Sequence, residues 1–343
     1  MAYLHYSNVR IAGIAAGVPR NVKSNQDNCE EEFIRTTGVA ERHVSGSLCT
    51  SDLCCAAAEK LIADLQWEKS DIEVLVFVSQ TSDYLIPSTA CILQHRLGLS
   101  KECMATDCTL GCSGWVYGLG QVLSLVATGE IKKALLLAGD AKNLADGPSE
   151  KLFGYAGTAT AVEYCEGAKD FKFHFGTDGS GYDAIIKPDG GARNVVSSHS
   201  FEFEEIDGKI YNRLMLQMNG MDVFSFAIST APKSVKHLAE HFEFDYQDAD
   251  YYVFHQANLK INNMITKKLK LDESKVPLSL SNFGNTSSAS IPLTIVSQLR
   301  DKLQNPTKFI CCGFGVGLSW GTVAFEIDNI VIPNLILVDE LEE

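Results

Sequence analysis

Apolar residues recur along this chain with two alternating periods. Thr50 to Leu65 carries Leu53, Ala57, Leu61 and Leu65 at helical spacing, with Ser51 or Asp52 available as a cap, and predicts a helix. Ile72 to Ser79 is a β-branched run of the kind buried between helical layers and predicts a central strand. Val9 to Val18 is apolar but broken by Arg10 and Gly13, and it lacks the basic start and long apolar centre of a secretory leader, so it reads as the first strand. A helix over Ser88 to Leu97 begun by Pro87, a short strand over Met104 to Cys108, an apolar helix over Ser113 to Ala127 and strands over Ala134 to Ala138 and Thr158 to Tyr164 follow.

The second half repeats this order. Helices are expected over Val223 to Phe242, Leu259 to Leu269 and Ala289 to Leu303, and strands over Tyr251 to Phe254, Phe309 to Cys312 and Leu318 to Glu326. Ala134-Leu-Leu-Leu-Ala-Gly-Asp parallels Phe309-Ile-Cys-Cys-Gly-Phe-Gly, and Thr158-Ala-Thr-Ala-Val-Glu-Tyr parallels Trp320-Gly-Thr-Val-Ala-Phe-Glu. The offset, about 160 to 175 residues, is far longer than any solenoid period. Two similar α/β halves are implied, each with a buried mixed sheet: 1–170 and 221–343, joined by a strand-and-loop insertion, 171–220, rich in Gly, Asp and Ser. The last residues, Asp339 to Glu343, read as a solvated acidic tail without function.

Composition narrows the class. A chain of 343 residues suits two domains, and 45% hydrophobic with 21% charged residues fits a globular protein without disorder or a membrane span. The formal charge of -14 argues against non-specific nucleic-acid binding. The 11 cysteines form no C-x-x-C pair, which argues against zinc. Several lie in apolar runs, as Cys311 and Cys312 do, which suits reduced thiols and a cytoplasmic location.

Three segments carry candidate chemistry. In Asp107-Cys-Thr-Leu-Gly-Cys-Ser-Gly-Trp a strand ends, a glycine permits a turn, and Cys112 falls at a helix start, where free amides and the helix dipole would lower its pKa. Cys112 is thus either a nucleophile or one more buried structural thiol. His255 follows a strand and precedes a helix, at the strand end where open α/β sheets bind ligands, although a cap or surface histidine would sit there equally well. Asn285, in Gly284-Asn-Thr-Ser-Ser-Ala-Ser, occupies in the second half the place of the Cys112 turn; it is a turn residue or, by that pseudo-symmetry, a partner of Cys112 and His255. Gly313-Phe-Gly-Val-Gly-Leu-Ser-Trp-Gly lies between strands with no helix behind it, so it fits a tight hairpin and not a dinucleotide loop. Its backbone amides suit an oxyanion hole shared with the amide of Cys112.

In order along the chain, Gly111-Cys-Ser-Gly, His255-Gln-Ala-Asn, Gly284-Asn-Thr-Ser-Ser-Ala-Ser and the Gly-rich turn resemble β-ketoacyl-[acyl-carrier-protein] synthase III, as do Thr37-Gly-Val-Ala-Glu-Arg-His and Met218-Asn-Gly-Met-Asp-Val-Phe. The resemblance implies a thiolase-like five-layered α-β-α-β-α fold of two pseudo-symmetric halves, a homodimer, and a triad of Cys112, His255 and Asn285. It implies an oxyanion hole from the amides of Cys112 and Val316, and no metal or redox cofactor. The implied reaction joins a Cys-bound acyl group to malonyl-[acyl-carrier-protein] with loss of carbon dioxide, in fatty acid or specialised acyl-chain biosynthesis. An acidic carrier protein would dock on Lys260, Lys267 and Lys268, and Tyr84 and Leu85 would line the acyl pocket across the dimer interface.

The chain departs from the family where coenzyme A is gripped. A Trp and an Arg of typical members align with Glu32 and Thr36, with Phe33 and Arg35 one residue away, and Phe153-Gly-Tyr-Ala-Gly-Thr-Ala replaces a Gly-Asp-Gly-Ala-Gly segment. A carrier-protein donor therefore fits as well as acyl-coenzyme A. The competing function is an acyltransferase of the same fold that moves an acyl group to an alcohol or amine without decarboxylation; a cysteine hydrolase and a non-catalytic partner subunit fit the motifs less well.

Overall fold

The computed structural model describes residues 1–26, 31–141, 150–206 and 208–341. Cys29 and the tail residues Glu342 and Glu343 lie outside them. The main strands are β1 (Ala2–Tyr6), β2 (Val9–Pro19), β3 (Val74–Val78), β4 (Met104–Cys108), β5 (Lys133–Asp140), β6 (Ala156–Tyr164), β7 (Phe171–Thr177), β8 (Tyr251–Phe254), β9 (Thr307–Gly315), β10 (Ser319–Ile327) and β11 (Ile336–Val338). The principal helices are α1 (Glu31–Thr37), α2 (Thr50–Leu65), α3 (Thr89–Arg96), α4 (Gly114–Val126), α5 (Gly220–His241) and α6 (Leu259–Leu269).

The duplication is explicit in the sheets. One sheet runs β11-β2-β6-β5-β3-β4 and the other β1-β7-β10-β9-β8. Within them β2-β6-β5-β3 and β7-β10-β9-β8 share one pairing pattern: two antiparallel ladders, then a parallel one. Val9–Pro19 is therefore not the first strand, because β1 precedes it and pairs with β7 in the other sheet. The segment 171–220 opens with β7, which the sheet order makes the counterpart of β2, and continues in short ladders, Ile185–Ile186 with Gln217–Met218 and Glu204–Ile206 with Lys209–Tyr211.

Strand periodicity explains the layers. Val74, Val76 and Val78 of β3 point into a central core with α4 and Ile291 to Leu299, whereas Leu75 and Phe77 point outward onto α2 and α3. In the second sheet Phe309 and Cys311 face the same central core, and Ile310 and Cys312 face α5 and α6. Both sheets are thus covered on both faces, which is why their strands read as continuous apolar runs. The result is a five-layered α-β-α-β-α arrangement.

Two local expectations change. The cap of α2 is Cys49, whose N–H donates to the Asp52 carboxylate at 2.7 Å, so Asp52 serves from inside the first turn. The helix expected over Ala289 to Leu303 is broken into a 3-10 turn (Ser287–Ala289), an α-turn (Ser290–Thr294) and a π-segment (Ile295–Leu299). No described helix is long and apolar enough to cross a membrane.

Candidate active site

Strand ends and turns from both halves deliver the candidate residues to one place. Cys112 sits between the end of β4 and the start of α4, and His255 follows β8, its N–H donating to the Cys312 carbonyl of β9 at 2.9 Å. Asn285 follows the left-handed Gly284 and is pinned on both sides of its backbone. Its N–H donates to the Leu152 carbonyl at 2.9 Å, and its carbonyl accepts from the Gly154 N–H at 3.1 Å. Cys112, His255, Asn285 and Val316 all line one narrow cavity of about 90 Å³, together with Phe153, Leu216, Met218, Val223 and Phe226.

The Gly-rich turn closes that cavity from behind. Gly315 and Ser319 pair across a tight hairpin, and Ser113 is bonded to Ser319 at 2.7 Å, which ties the hairpin to the Cys112 turn. A Cβ at Gly315 would stand 2.6 Å from the Cβ of Cys112 and 2.8 Å from its sulfur, so only glycine allows the approach. The approach brings the Val316 amide to the Cys112 sulfur, which the amide of Cys112 itself also faces.

The side chains around the cavity are oriented by serines. The Asn285 Oδ1 accepts from the Ser287 N–H at 2.9 Å, which commits the oxygen and leaves the amide NH2 as the end available to a ligand. His255 is 1% exposed, with Nδ1 at 2.8 Å from the Ser290 hydroxyl and its ring edge-on to Phe314. Burial drives its pKa down to about 3, although the Ser287 backbone carbonyl pulls the other way, so the imidazole is neutral.

Cys112 reverses the expectation drawn from its position. Burial pushes its pKa up to about 11, the Asp140 carboxylate adds to the rise, and the amides of Val316 and Cys112 with the Ser287 hydroxyl only partly offset it. The helix proper starts at Gly114, two residues on, and the low-dielectric surroundings outweigh its dipole. Both shifts favour the uncharged forms, a thiol and an imidazole, although Cys112 itself is only half-buried.

The other expected residues lie elsewhere. Tyr84 and Leu85 are 63% and 94% exposed and do not line the cavity of their own chain. Lys260, Lys267 and Lys268 are exposed on α6, which begins at the cavity, where Asn258 and Ile261 line it. Lys260 stands over the Phe224 ring, and Lys268 donates to the Ile228 carbonyl at 3.0 Å. On α1 the Arg35 guanidinium is taken by Glu32, and no α1 residue reaches the cavity. The acidic tail is not free: Asp339 pairs with Arg20, and Glu340 accepts from Ser45, Gly46 and Ser47, which draws its pKa down to about 2.

Sequence reasoning passed over Asp140, Ser287, Ser290 and Gln80. Asp140 had a usable signal, since it closes a strand at its carboxyl end, the rule that drew attention to His255. Among the described residues no group of three His, Cys, Asp or Glu side chains could hold a metal ion.

Two pseudo-symmetric halves that bring a cysteine, a histidine and an asparagine to one apolar cavity define the thiolase-like class of folds. Residues 106–179 match the model of 3-oxoacyl-[acyl-carrier-protein (ACP)] synthase III, and residues 239–327 match that of its C-terminal part. The chain is 32% identical to the β-ketoacyl-[acyl-carrier-protein] synthase III of Clostridium acetobutylicum, over 93% of this chain and 99% of that one. A crystal structure of 3-oxoacyl-(acyl-carrier protein) synthase from Burkholderia xenovorans LB400 superposes with a TM-score of 0.91 at 34% identity, covering 98% of this chain and 99% of the other. That of 3-oxoacyl-(acyl carrier protein) synthase III from Pseudomonas aeruginosa PAO1 gives 0.81 at 28%, covering 95% and 100%. The chain belongs to the β-ketoacyl-[acyl-carrier-protein] synthase III family.

Proposed function

We propose that this protein condenses a Cys112-bound acyl group with malonyl-[acyl-carrier-protein], releasing carbon dioxide and a 3-oxoacyl-[acyl-carrier-protein]. The observation that carries this reading is the shared cavity, in which Cys112 faces a neutral His255 and the free amide end of Asn285. Cys112 sulfur attacks the acyl thioester carbonyl, the oxyanion rests on the amides of Cys112 and Val316, and the departing carrier thiol takes the proton. The malonyl thioester then enters. As its carboxylate leaves, the bonding electrons pass into an enolate whose oxygen is held by the Asn285 NH2 and by Nε2–H of His255, the tautomer selected when the Ser290 hydroxyl donates to Nδ1. The enolate carbon attacks the acyl-Cys112 carbonyl, and the Cys112 sulfur leaves as a thiolate that takes up one proton from solvent. A neutral imidazole suits this role, because it donates a hydrogen bond without stabilising the carboxylate that must depart.

Lys260, Lys267 and Lys268 on the exposed face of α6 provide positive charge beside the mouth for an acidic carrier protein, which the net charge of -14 would otherwise repel. With Arg35 already paired to Glu32, α1 offers no ready grip for coenzyme A, which favours a carrier-borne primer over acyl-coenzyme A. β4 is an outer strand of its sheet, and the neighbouring Tyr84, Leu85 and Ile86 are exposed apolar side chains. A homodimer formed through this edge would remove them from water and carry Tyr84 and Leu85 to the acyl pocket of the partner. None of the ten described cysteines forms a disulfide, in keeping with a reducing, cytoplasmic setting. The scheme calls on no metal or redox cofactor.

Intact-protein mass spectrometry of wild type and Cys112→Ala with a panel of acyl-coenzyme A and acyl-carrier-protein donors tests the scheme. A mass gain in wild type alone, discharged by malonyl carrier protein with release of carbon dioxide, is expected. An adduct that an alcohol or amine discharges but malonyl carrier protein does not would mean acyl transfer without decarboxylation, and no Cys112-dependent adduct would sink both.

A further inference from the structure

Gln80 is a polar side chain of the cavity that the scheme above does not use. It follows β3 on a fixed backbone. Its N–H donates to the Asp140 side chain at 2.8 Å, the preceding Ser79 N–H donates to the Cys108 carbonyl at 3.2 Å, and Thr81 Oγ1 stands 2.6 Å from Thr50 Oγ1. The side chain lies against the turn of Cys112. A Cβ built on Gly111 would stand 2.1 Å from Gln80 Oε1, 2.8 Å from its Cδ and 3.2 Å from Ser287 Oγ, and Gln80, Ser287 and Cys112 line one cavity. Gln80 is half-buried, and its side-chain amide makes no hydrogen bond among the described residues.

Three other polar side chains of the cavity are already engaged. Asn285 Oδ1 accepts from the Ser287 N–H at 2.9 Å, Asn258 Oδ1 accepts from the Ile261 N–H at 2.8 Å at the start of α6, and His255 Nδ1 meets the Ser290 hydroxyl at 2.8 Å. In the proposed scheme the free ends of Asn285 and His255 take the malonyl thioester, and the amides of Cys112 and Val316 take the acyl oxyanion. Most of the remaining lining is apolar, including Leu152, Phe153, Leu216 and Met218. Gln80 therefore offers an NH2 donor and a carbonyl acceptor to the group that Cys112 carries. In the empty cavity water can satisfy both. A purely hydrocarbon acyl group would expel that water and return no hydrogen bond, leaving the amide stranded.

We propose that Gln80 is a specificity-determining residue that selects a primer with a hydroxyl group close to its thioester, a short 2- or 3-hydroxyacyl group, over the unsubstituted chain. The inference rests on the reading of Cys112 as the acylated nucleophile. A hydroxyl both donates and accepts, as the carboxamide does, so the two replace what the lost water supplied. Placement limits the position of that hydroxyl. The carboxamide borders the turn one residue before Cys112, so it meets the first carbons of the bound chain and not its far end. The narrow cavity, about 90 Å³, suits a short chain. A site built to bond a substrate hydroxyl rejects the analogue that lacks it, because the polar group of the site is then left unpaired.

The test compares carrier-protein donors that differ by one oxygen, butyryl against 2-hydroxybutyryl and 3-hydroxybutyryl, in the rate of adduct formation at Cys112 read by intact-protein mass spectrometry. Wild type is expected to acylate from at least one hydroxylated donor about tenfold faster or more than from butyryl. Gln80→Met keeps the length of the side chain and removes both hydrogen-bonding ends. It should lose the preference while acylating from butyryl at the wild-type rate or faster. Equal rates for the three donors in wild type, or a faster rate for butyryl, would overturn the proposal whether or not the variant folds. So would a preference that persists in Gln80→Met. Adducts that show the preference and that malonyl carrier protein does not discharge would count against condensation alone, and no Cys112-dependent adduct from any donor would end both readings.

Discussion

The two halves of this molecule share a strand order and divide the work unequally. In the first, β4 runs into the turn of Cys112 and on into the unbroken α4. In the second, no sixth strand precedes the matching turn among the described residues. Asn285 makes only an isolated bridge to Phe153, and the helix behind it is split into 3-10, α and π pieces. The ends of the paired strands differ in the same way. β5 ends in the Asp140 carboxylate, whereas its counterpart β9 ends in glycine and leads to the Val316 amide. In the proposed scheme one half therefore supplies the nucleophile and a buried carboxyl group, and the other supplies neutral donors for developing negative charge. Duplication provided a scaffold with a central meeting point, and divergence at strand ends gave that point its chemistry.

The sharpest way to break this division is to disable each half separately. Cys112→Ala should abolish the acyl adduct and all turnover, whereas Asn285→Ala and His255→Ala should still acylate and lose about 10²- to 10³-fold in condensation, read by mass spectrometry and carbon dioxide release. Equal loss of acylation in all three variants would dissolve the assignment of separate roles. Next in size is the contact between the halves. Gly315→Ala drives a Cβ into Cys112. It should cost about 1–3 kcal/mol in urea unfolding, with acylation reduced beyond what that loss explains.

The pH dependence of stability compares the halves through their thiols. Cys112 is raised to about 11 and Cys312, on β9, to about 12, both chiefly by burial. Unfolded thiols ionise near about 8.5, so these groups contribute full stability below that pH. The contribution is lost as pH rises toward the folded values. The urea midpoint should accordingly fall between about pH 8.5 and 11, and Cys312→Val should lessen the fall. The smallest effect is expected at the tail. Glu340→Ala removes its bonds to Ser45, Gly46 and Ser47, yet the group is solvent-exposed, so calorimetry should find less than about 1 kcal/mol.

Much of the architecture was legible because buried strands and amphipathic helices leave periods in the chain. Thr50 to Leu65, Met104 to Cys108 and Leu259 to Leu269 were read to the residue, and the repeated order of elements disclosed the two halves. The three candidates that line one cavity were legible too, since each lies in a glycine turn or at a strand end where local rules direct attention. The place of β1 and β7 was not. β1 is half-exposed, and its pairing with β7 joins residues far apart in the chain. Tyr84 and Leu85 lie on the surface of the chain and do not reach its own cavity.

The amino-acid order by itself determined the two α/β halves and the three candidate residues that meet in the cavity, because these follow from periodicity and turn chemistry within a few positions. Only the tertiary structure decided the pKa shift of the Cys112 thiol and the company it keeps. A helix start foretold a lowered pKa, but burial, with a smaller contribution from Asp140, pushes it the other way. The serines that orient His255 and Asn285 became visible for the same reason: charge, solvation and hydrogen bonding act through distance in three dimensions, and local sequence reports only the neighbours along the chain.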